Sequence, residues 1–336
     1  MKKLAATLFI TTLVAINVLG QGAPPTLRIV TETPGLPSEL FYGDIKVKPL
    51  RLRPGTNTPI TIADYDFFIQ QQYIDFLRRF PDPGLDGVFG TADDSLKYYL
   101  DLINNYLNTP PCTPTNTECI KVIRGIESAN FFRSPEFQRK GNYVLYLYMG
   151  SLGQRPVTPA ELGDSTKIDR PHYPEFLRDL QSISTPNDDP VLTNAKKDAL
   201  AVAWLQRPEI QAKYPDSPTM SNAQFVQALF NTAGVTVSNQ NWVSELNGGK
   251  SRAKVLREFA ESPEIDAKYY QQAYVTMEYF GYLRRDPEDC HGSPDPSQCG
   301  FIFHNSRFND PRINPAHIQN IMVQGFIESP EYINRF

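Results

Sequence analysis

The chain has 336 residues, 40% hydrophobic and 21% charged, which are values of a globular protein with one large core or two ordinary ones. The formal net charge is −4 and no long basic run occurs, which argues against a nucleic-acid-binding groove. Aromatic residues make up 12%, mostly Tyr and Phe at helical spacing, and the 29 prolines sit mostly at breaks and loops.

Residues 1–20 have the pattern of a secretory signal peptide. A pair of lysines precedes an apolar stretch from Leu4 to Leu19, and the small residues Val18 and Gly20 fit positions −3 and −1 of a cleavage site. The stretch is short for a membrane anchor, and polar, proline-containing sequence follows it, so we expect cleavage. The mature chain then has no transmembrane segment, and we predict an extracellular, periplasmic or cell-surface location.

Residues 21–59 are predicted to form a proline-rich, extended N-terminal arm. Hydrophobic and polar residues alternate in Leu27–Val30 and again in Ile45–Val47, which indicates a tail or a short strand pair and not a domain. Helical periodicity begins near Ile60 and continues to the end of the chain. We divide this part into a first helical module pair, 60–215, and a second, 216–336.

A sharp helix start recurs four times in the helical part. Serine can cap a helix with its hydroxyl, and proline at the first helical position loses no hydrogen bond. The four starts are Ser134-Pro135-Glu136, Arg207-Pro208-Glu209, Ser262-Pro263-Glu264 and Ser329-Pro330-Glu331. Their uneven spacing argues against a regular solenoid. We therefore predict a mainly α fold of pseudo-repeated short helices, packed as one or two compact helical bundles.

The stretch Ser251–Pro287 shows the repeated unit in full: a helix, a break and a long helix with one mainly apolar stripe. It ends in Leu283-Arg284-Arg285, where the cations complement the helix dipole or pair with a partner's carboxylates. An equivalent ending occurs at Leu77-Arg78-Arg79. The Tyr and Phe residues of these helices lie at helical spacing, so we expect most of them in the core.

The segment Phe225–Phe230, then Asn241-Trp242, then Arg252–Leu256 with Phe259 and Ser262-Pro263-Glu264, resembles the domain of unknown function 4214 family. That family is related to phycobilisome linker domains. Several degenerate copies of its pattern extend over residues 60–336, with Tyr99 where the family has Trp. The resemblance implies secreted or surface helical modules, often beside calcium-binding repeats, with a scaffold or interaction role and no established catalytic residues.

The loop from Asp82 to Asp94 is the best candidate for a metal site. Laid on a twelve-residue calcium loop, Asp82 takes position 1, Asp86 position 5 and Asp93 position 12, with Asp94 adjacent. Gly84 stands at position 3, where it offers no side-chain ligand. Two interpretations fit this pattern: a Ca²⁺ site, or a solvated turn in which Asp and Gly permit tight backbone angles.

The four cysteines form two local pairs, Cys112/Cys119 and Cys290/Cys299. In a secreted chain they predict two loop-closing disulfides. Zinc is the alternative for the second pair, since His291 and His304 lie nearby, but it needs reduced thiolates. We expect a disulfide loop with surface histidines.

No catalytic motif surrounds any of the four histidines. We therefore predict a secreted, non-enzymatic helical scaffold or protein-interaction module at or outside the cell surface, calcium-stabilised if the acidic loop binds the ion. Its partners would be other proteins or a second copy. The alternative is a secreted hydrolase or carbohydrate-active enzyme with a dispersed site, in which His172 or His317 meets two carboxylates. A polysaccharide binder would instead expose an aromatic platform around Trp242.

Overall fold

The computed structural model of the protein describes most of the chain after residue 58 and short strands before it. The described residues are 27–30, 39–42, 45–46, 51–52, 59–87, 91–156, 169–185, 188–238, 240–288, 299–308 and 314–336. The signal peptide predicted at residues 1–20 lies outside them. The chain forms two compact units, one of residues up to Phe67 together with Phe336, and one of Phe68–Arg335.

Helices dominate the described chain, which confirms the predicted mainly α fold. The α-helices are α1 (Tyr65–Gln72), α2 (Ser95–Leu107), α3 (Thr117–Phe132), α4 (Pro135–Tyr146), α5 (Tyr173–Ile183), α6 (Pro190–Leu205), α7 (Pro208–Lys213), α8 (Asn222–Ala233), α9 (Trp242–Asn247), α10 (Arg252–Ala260), α11 (Pro263–Glu278), α12 (Gly300–Arg307), α13 (Pro315–Ile327) and α14 (Pro330–Ile333). Three π-helical segments continue α1, α4 and α11: π1 (Tyr73–Leu77), π2 (Leu147–Leu152) and π3 (Tyr279–Leu283). None of the described helices has the length and apolar character needed to cross a membrane.

Short antiparallel strands form most of the described part of the first unit. β1 (Leu27–Val30), β2 (Glu39–Tyr42) and β3 (Ile45–Lys46) make a three-stranded sheet in that order, with Leu27 opposite Tyr42. β4 (Arg51–Leu52) pairs with β5 (Pro59–Ile60). The alternation of hydrophobic and polar residues at Leu27–Val30 and Ile45–Val47 therefore correctly indicated β1 and β3. The sequence did not indicate β2 between them, which pairs with both.

The repeated Ser-Pro-Glu segments begin helices, as predicted. The hydroxyl of Ser134 accepts the Phe137 N–H at 3.2 Å to start α4, and the hydroxyl of Ser262 accepts the Ile265 N–H at 3.4 Å to start α11. Ser329 caps α14 in the same way. Arg207 precedes α7 without a side-chain cap. Each serine cap stabilises its helix by about 1 kcal/mol, because it satisfies a backbone N–H that has no partner inside the helix.

The three π segments end alike, and we call these ends ending 1 (Leu77-Arg78-Arg79), ending 2 (Leu152-Gly153-Gln154) and ending 3 (Leu283-Arg284-Arg285). In each, the residue after the leucine is left-handed, with φ of 55°, 77° and 53° at Arg78, Gly153 and Arg284. Glycine adopts this conformation without cost, whereas a residue with a Cβ loses about 1 kcal/mol or more. The endings are therefore structural equivalents, and endings 1 and 3 carry strain that ending 2 avoids.

The core of the second unit forms where helices from distant parts of the sequence meet. α13 packs on α3, α11 on α4 and α10 on α6, while π1 packs against π3. Gly281 of π3 permits this last approach, because a Cβ there would overlap the Phe76 ring of π1. Most of the two predicted modules, 60–215 and 216–336, falls in this unit, so their helices share one compact body.

The tyrosine stripes lie in the core, as their helical spacing predicted. Tyr274 of α11 and Tyr282 of π3 are fully buried. The Phe132 ring of α3 lies 4.8 Å from the Tyr274 ring and 5.8 Å from the Tyr282 ring. The described tyrosines of these stripes are all buried except the half-buried Tyr270. Burial of such large side chains supplies much of the stabilisation of the unit.

Candidate functional site

The acidic loop after ending 1 is held by its own backbone donors. The Asp93 carboxylate accepts the Leu85 N–H at 2.7 Å and the Thr91 hydroxyl at 2.9 Å, and these bonds lower the pKa of Asp93. Asp82 accepts the Gly84 N–H at 3.0 Å. Asp94 caps α2 through the Leu96 N–H. Three of the four aspartates thus already act as turn or capping residues.

Gly84 shows why the loop departs from the calcium pattern at its third position. Its φ is +80°, and a Cβ there would lie 2.5 Å from the Asp93 carboxyl carbon, so the turn requires glycine. Within the described residues, no group of three or more His, Cys, Asp or Glu side chains could hold a metal ion. Asp86 is exposed, and residues 88–90 lie outside the described part. Calcium binding by this loop stays a prediction.

The first cysteine pair forms the predicted disulfide. Cys112 and Cys119 are bonded across a separation of seven residues, and the bridge closes the loop at the start of α3. Cys299 is also disulfide-bonded, whereas Cys290 lies outside the described residues. His304 is not the surface histidine that we expected. It is half-buried, with its ring 5.1 Å from Phe326, and burial lowers its pKa to about 4.

His172 lies between two carboxylates, which is part of the geometry expected for a hydrolase. Its Nδ1 is 2.6 Å from Asp286 Oδ2, and its Nε2 is 3.5 Å from Asp169 Oδ1. Asp286 also accepts the Tyr173 N–H at 2.6 Å and so caps α5 from outside the helix. A carboxylate, and not a hydroxyl or thiol, thus faces Nε2. This arrangement anchors the start of α5 to the segment after ending 3.

Trp242, the centre of the platform expected for a polysaccharide binder, is buried. It is 5% exposed, and its indole N–H donates to Glu258 at 2.8 Å. The ring packs among aromatic side chains, 6.2 Å from both Phe230 and Phe259. Trp242 is therefore a core residue with its polar edge satisfied, and it presents no stacking surface to a sugar.

Most arginines of the endings pair with carboxylates of this same chain. The Asp75 carboxylate is fully buried and lies 2.6 Å from Arg284 and 2.9 Å from Arg335. Arg79 of ending 1 lies 3.3 Å from Glu136, and Arg285 of ending 3 lies 2.5 Å from Glu331. Both glutamates belong to a Ser-Pro-Glu helix start. An ending and a helix start thus meet twice through an equivalent arginine–glutamate pair.

A cavity lies beside ending 1. Its volume is about 430 Å³, and we call it the arginine pocket. It is lined by Leu77–Pro83 and by Ser184 and Thr185 at the end of α5. Phe80, on its rim, is 46% exposed. The pocket therefore combines two guanidinium groups with apolar walls.

A second cavity, of about 190 Å³, contains two buried lysines near the start of α6. Lys140 lies 2.9 Å from Asp188, and Lys197 lies 2.7 Å from Glu261 and 4.8 Å from the centre of the Tyr143 ring. Each lysine thus has its own carboxylate. Because the charges are already paired, this cavity is best explained as a polar junction between α4, α6 and α10.

An apolar stripe on α6 faces solvent. Val191 and Val202 are 79% and 55% exposed, and Leu192 is 42% exposed. Ala195 and Ala199 lie between the valines at helical spacing and are also exposed. We call these five residues the α6 stripe. Sequence reasoning passed over it, although the spacing of Val191, Ala195, Ala199 and Val202 was visible, because the pattern alone does not tell a buried face from an exposed one.

No family model, curated protein or solved structure matches the chain. The resemblance to the domain of unknown function 4214 family therefore stays a prediction. Most of the residues quoted for it lie in α8, α9 and α10, and Phe230, Trp242 and Phe259 of these helices pack together.

Proposed function

We propose that the chain is a secreted, non-enzymatic helical scaffold or protein-interaction module that acts at or outside the cell surface. The leader pattern of residues 1–20 supports export. The Cys112–Cys119 disulfide and the bonded state of Cys299 suit an oxidising compartment. The ending-to-start ion pairs and the shared aromatic core suit a rigid body that presents a surface.

The α6 stripe is the observation that carries this proposal. α6 has sixteen residues and is about 24 Å long at 1.5 Å per residue. One of its faces is buried through Leu200, Ala201 and Trp204, as expected of an amphipathic helix. The opposite face shows a second apolar stripe where polar residues are expected. Contiguous exposed apolar surface of this kind marks contact sites with other proteins.

The occupant that best fits the stripe is a second copy of this chain. Val191 and Val202 lie near opposite ends of α6, and Ala195 and Ala199 lie between them. In an antiparallel pair of α6 helices, Val191 of each copy would lie near Val202 of the other. The central alanines would let the two helix axes approach to about 8 Å. A twofold-symmetric interface requires such a self-complementary patch.

One helix face limits the strength of this contact. A stable interface buries about 1,200 Å² or more in total, and a single helix pair buries less. We therefore expect a weak dimer whose population rises with protein concentration, with a Kd of about 1 μM or weaker.

Sedimentation equilibrium of residues 21–336 over a wide concentration range tests the proposal. The mean mass should rise toward that of a dimer as concentration increases. Val202→Glu should abolish the rise, because it places a charge in the apolar contact between the two helices. The matched control is Val122→Glu, which changes a valine on α3 that is 41% exposed. A wild-type mass that stays monomeric throughout, or equal behaviour of both variants, contradicts the proposal.

A further inference from the structure

Arg78 and Arg284 occupy equivalent positions but differ in their counter-ions. Both follow a π segment and both are left-handed. Arg284 ion-pairs with the buried Asp75 at 2.6 Å, whereas no carboxylate of the described residues lies within ion-pair distance of Arg78. The residue at the equivalent of Asp75 in ending 3 is Gly281, two positions before Leu283. Gly281 has no carboxylate, so it cannot pair with Arg78 in the way that Asp75 pairs with Arg284.

Among the described residues, the buried Asp75 carboxylate acts on the Arg78 guanidinium from beyond ion-pair distance, and it already pairs with Arg284 and Arg335. The hydrogen-bond partners of the guanidinium are neutral. It donates to the Ile74 carbonyl at 3.4 Å and hydrogen-bonds the Tyr173 hydroxyl. Its Nε is buried and has no hydrogen-bond partner in the described part of the chain. Burial lowers its pKa, yet a guanidinium stays charged at every physiological pH. Among the described residues, Arg78 is thus a partly buried cation in a strained backbone conformation without an ion-pair partner of its own, a combination that is typical of ligand sites.

The position of Arg78 in the arginine pocket indicates which ligand would supply the missing charge. Arg79 lines the same pocket, and its Nε is also buried without a hydrogen-bond partner, while its Nη2 contacts Glu136. The guanidinium fork matches a carboxylate in size and planarity. Leu77, Phe80 and the prolines form apolar walls for the rest of a ligand. Asp82 also lines the pocket, and its charge disfavours a dianion such as phosphate more than a monoanion.

We propose that the arginine pocket binds a small carboxylate with an apolar body, whose carboxylate pairs with Arg78 and Arg79 while its body packs against Phe80. This site is separate from the α6 stripe and does not depend on self-association. The volume of about 430 Å³ suits a single amino-acid-sized ligand.

Titration calorimetry with a matched pair of probes tests the charge requirement. N-acetyl-phenylalanine carries the carboxylate, and N-acetyl-phenylalaninamide has the same body without the charge. We expect the acid to bind residues 21–336 with a Kd of about 1 mM or tighter. The amide should bind at least about tenfold more weakly, because it cannot form the charge-assisted bonds. Equal binding of the two, or no acid binding at about 10 mM, overturns the proposal.

Arg78→Gly tests the residue without disturbing the backbone. Ending 2 has Gly153 at the equivalent position with φ of 77°, so glycine suits this conformation. The variant should keep the wild-type circular dichroism spectrum and lose at least about tenfold of the acid affinity, with amide binding unchanged. Arg178→Gln, which removes an exposed arginine of α5, is the control and should bind the acid like wild type.

Arg79→Gln provides an independent variant if Arg78→Gly does not fold. It should weaken acid binding by several-fold and leave amide binding unchanged. Wild-type acid affinity in Arg78→Gly, or an equal loss in Arg178→Gln, would show that the pocket does not recognise the carboxylate through Arg78.

Discussion

Glu278, the last residue of α11, should make the protein less stable as pH rises. Its side chain is fully buried, and neither carboxyl oxygen has a hydrogen-bond partner among the residues that the structure describes. Tyr274 and Tyr282 are the titratable side chains one turn away on the same face, and both are buried. Burial raises the pKa of Glu278 well above its usual value, so the folded protein holds this side chain neutral.

The size of the effect follows from proton linkage. In the unfolded chain the carboxyl titrates near its ordinary value of about 4.3, while the folded chain retains the proton. Above that pH, the folded state binds one proton more than the unfolded state. The free energy of unfolding therefore falls by about 1.4 kcal/mol for each pH unit, up to the folded-state pKa. Glu278→Gln keeps the shape and removes the titration, so its advantage over wild type should grow at the same rate.

Urea denaturation of wild type and Glu278→Gln at about pH 5, 6 and 7 measures this difference. We expect the variant to gain about 2 to 3 kcal/mol relative to wild type between the first and last pH. Glu209→Gln, which changes an exposed glutamate of α7, is the control for the loss of one carboxylate. A Glu278→Gln difference that does not change with pH would refute the reasoning, because it would mean that the folded chain does not retain the proton.

Three further predictions concern the ion pairs, the disulfide and the acidic loop. Asp75→Asn should lower the free energy of unfolding by about 3 to 5 kcal/mol in a urea titration, because it removes the carboxylate that pairs with two partly buried arginines. The control Asp101→Asn breaks an exposed pair with Lys97 and should lower it by less than about 0.5 kcal/mol. Cys112→Ser should destabilise the chain by about 2 to 3 kcal/mol through the seven-residue loop, and a reductant should then have no further effect at this bridge. If the Asp82–Asp94 loop binds Ca²⁺, a calcium concentration 100-fold above Kd should add about 2.7 kcal/mol of stability, which chelator and Asp86→Ala should both remove. If the melting temperature is the same in calcium and in chelator, the loop is a solvated turn and not a calcium site.

Local patterns in the sequence predicted the helices well. Ser134, Ser262 and Ser329 cap helices where the Ser-Pro-Glu pattern indicated, because capping involves atoms only three residues apart.

Contacts between distant residues could not be predicted in this way. β2 pairs with β1 and β3, but its short sequence lacks a pattern that separates a strand from a loop. The arginine pocket joins Leu77–Pro83 to the end of α5, a hundred residues later in the chain. Periodicity reports which residues share one face of an element and does not report which other element covers that face.

The sequence by itself determined where the serine-capped helices begin, that most tyrosines at helical spacing are buried, and that endings 1 and 3 are equivalent. These properties depend on neighbours within about one or two helical turns. Only the tertiary structure decided which ending has a carboxylate counter-ion for its first arginine. Arg284 has a carboxylate partner because Asp75, 209 residues away, is brought to it by the packing of π1 on π3. Arg78 has the same local sequence but lines a pocket. The position in π3 that is equivalent to Asp75 is Gly281, which has no carboxylate and which allows π3 to approach π1.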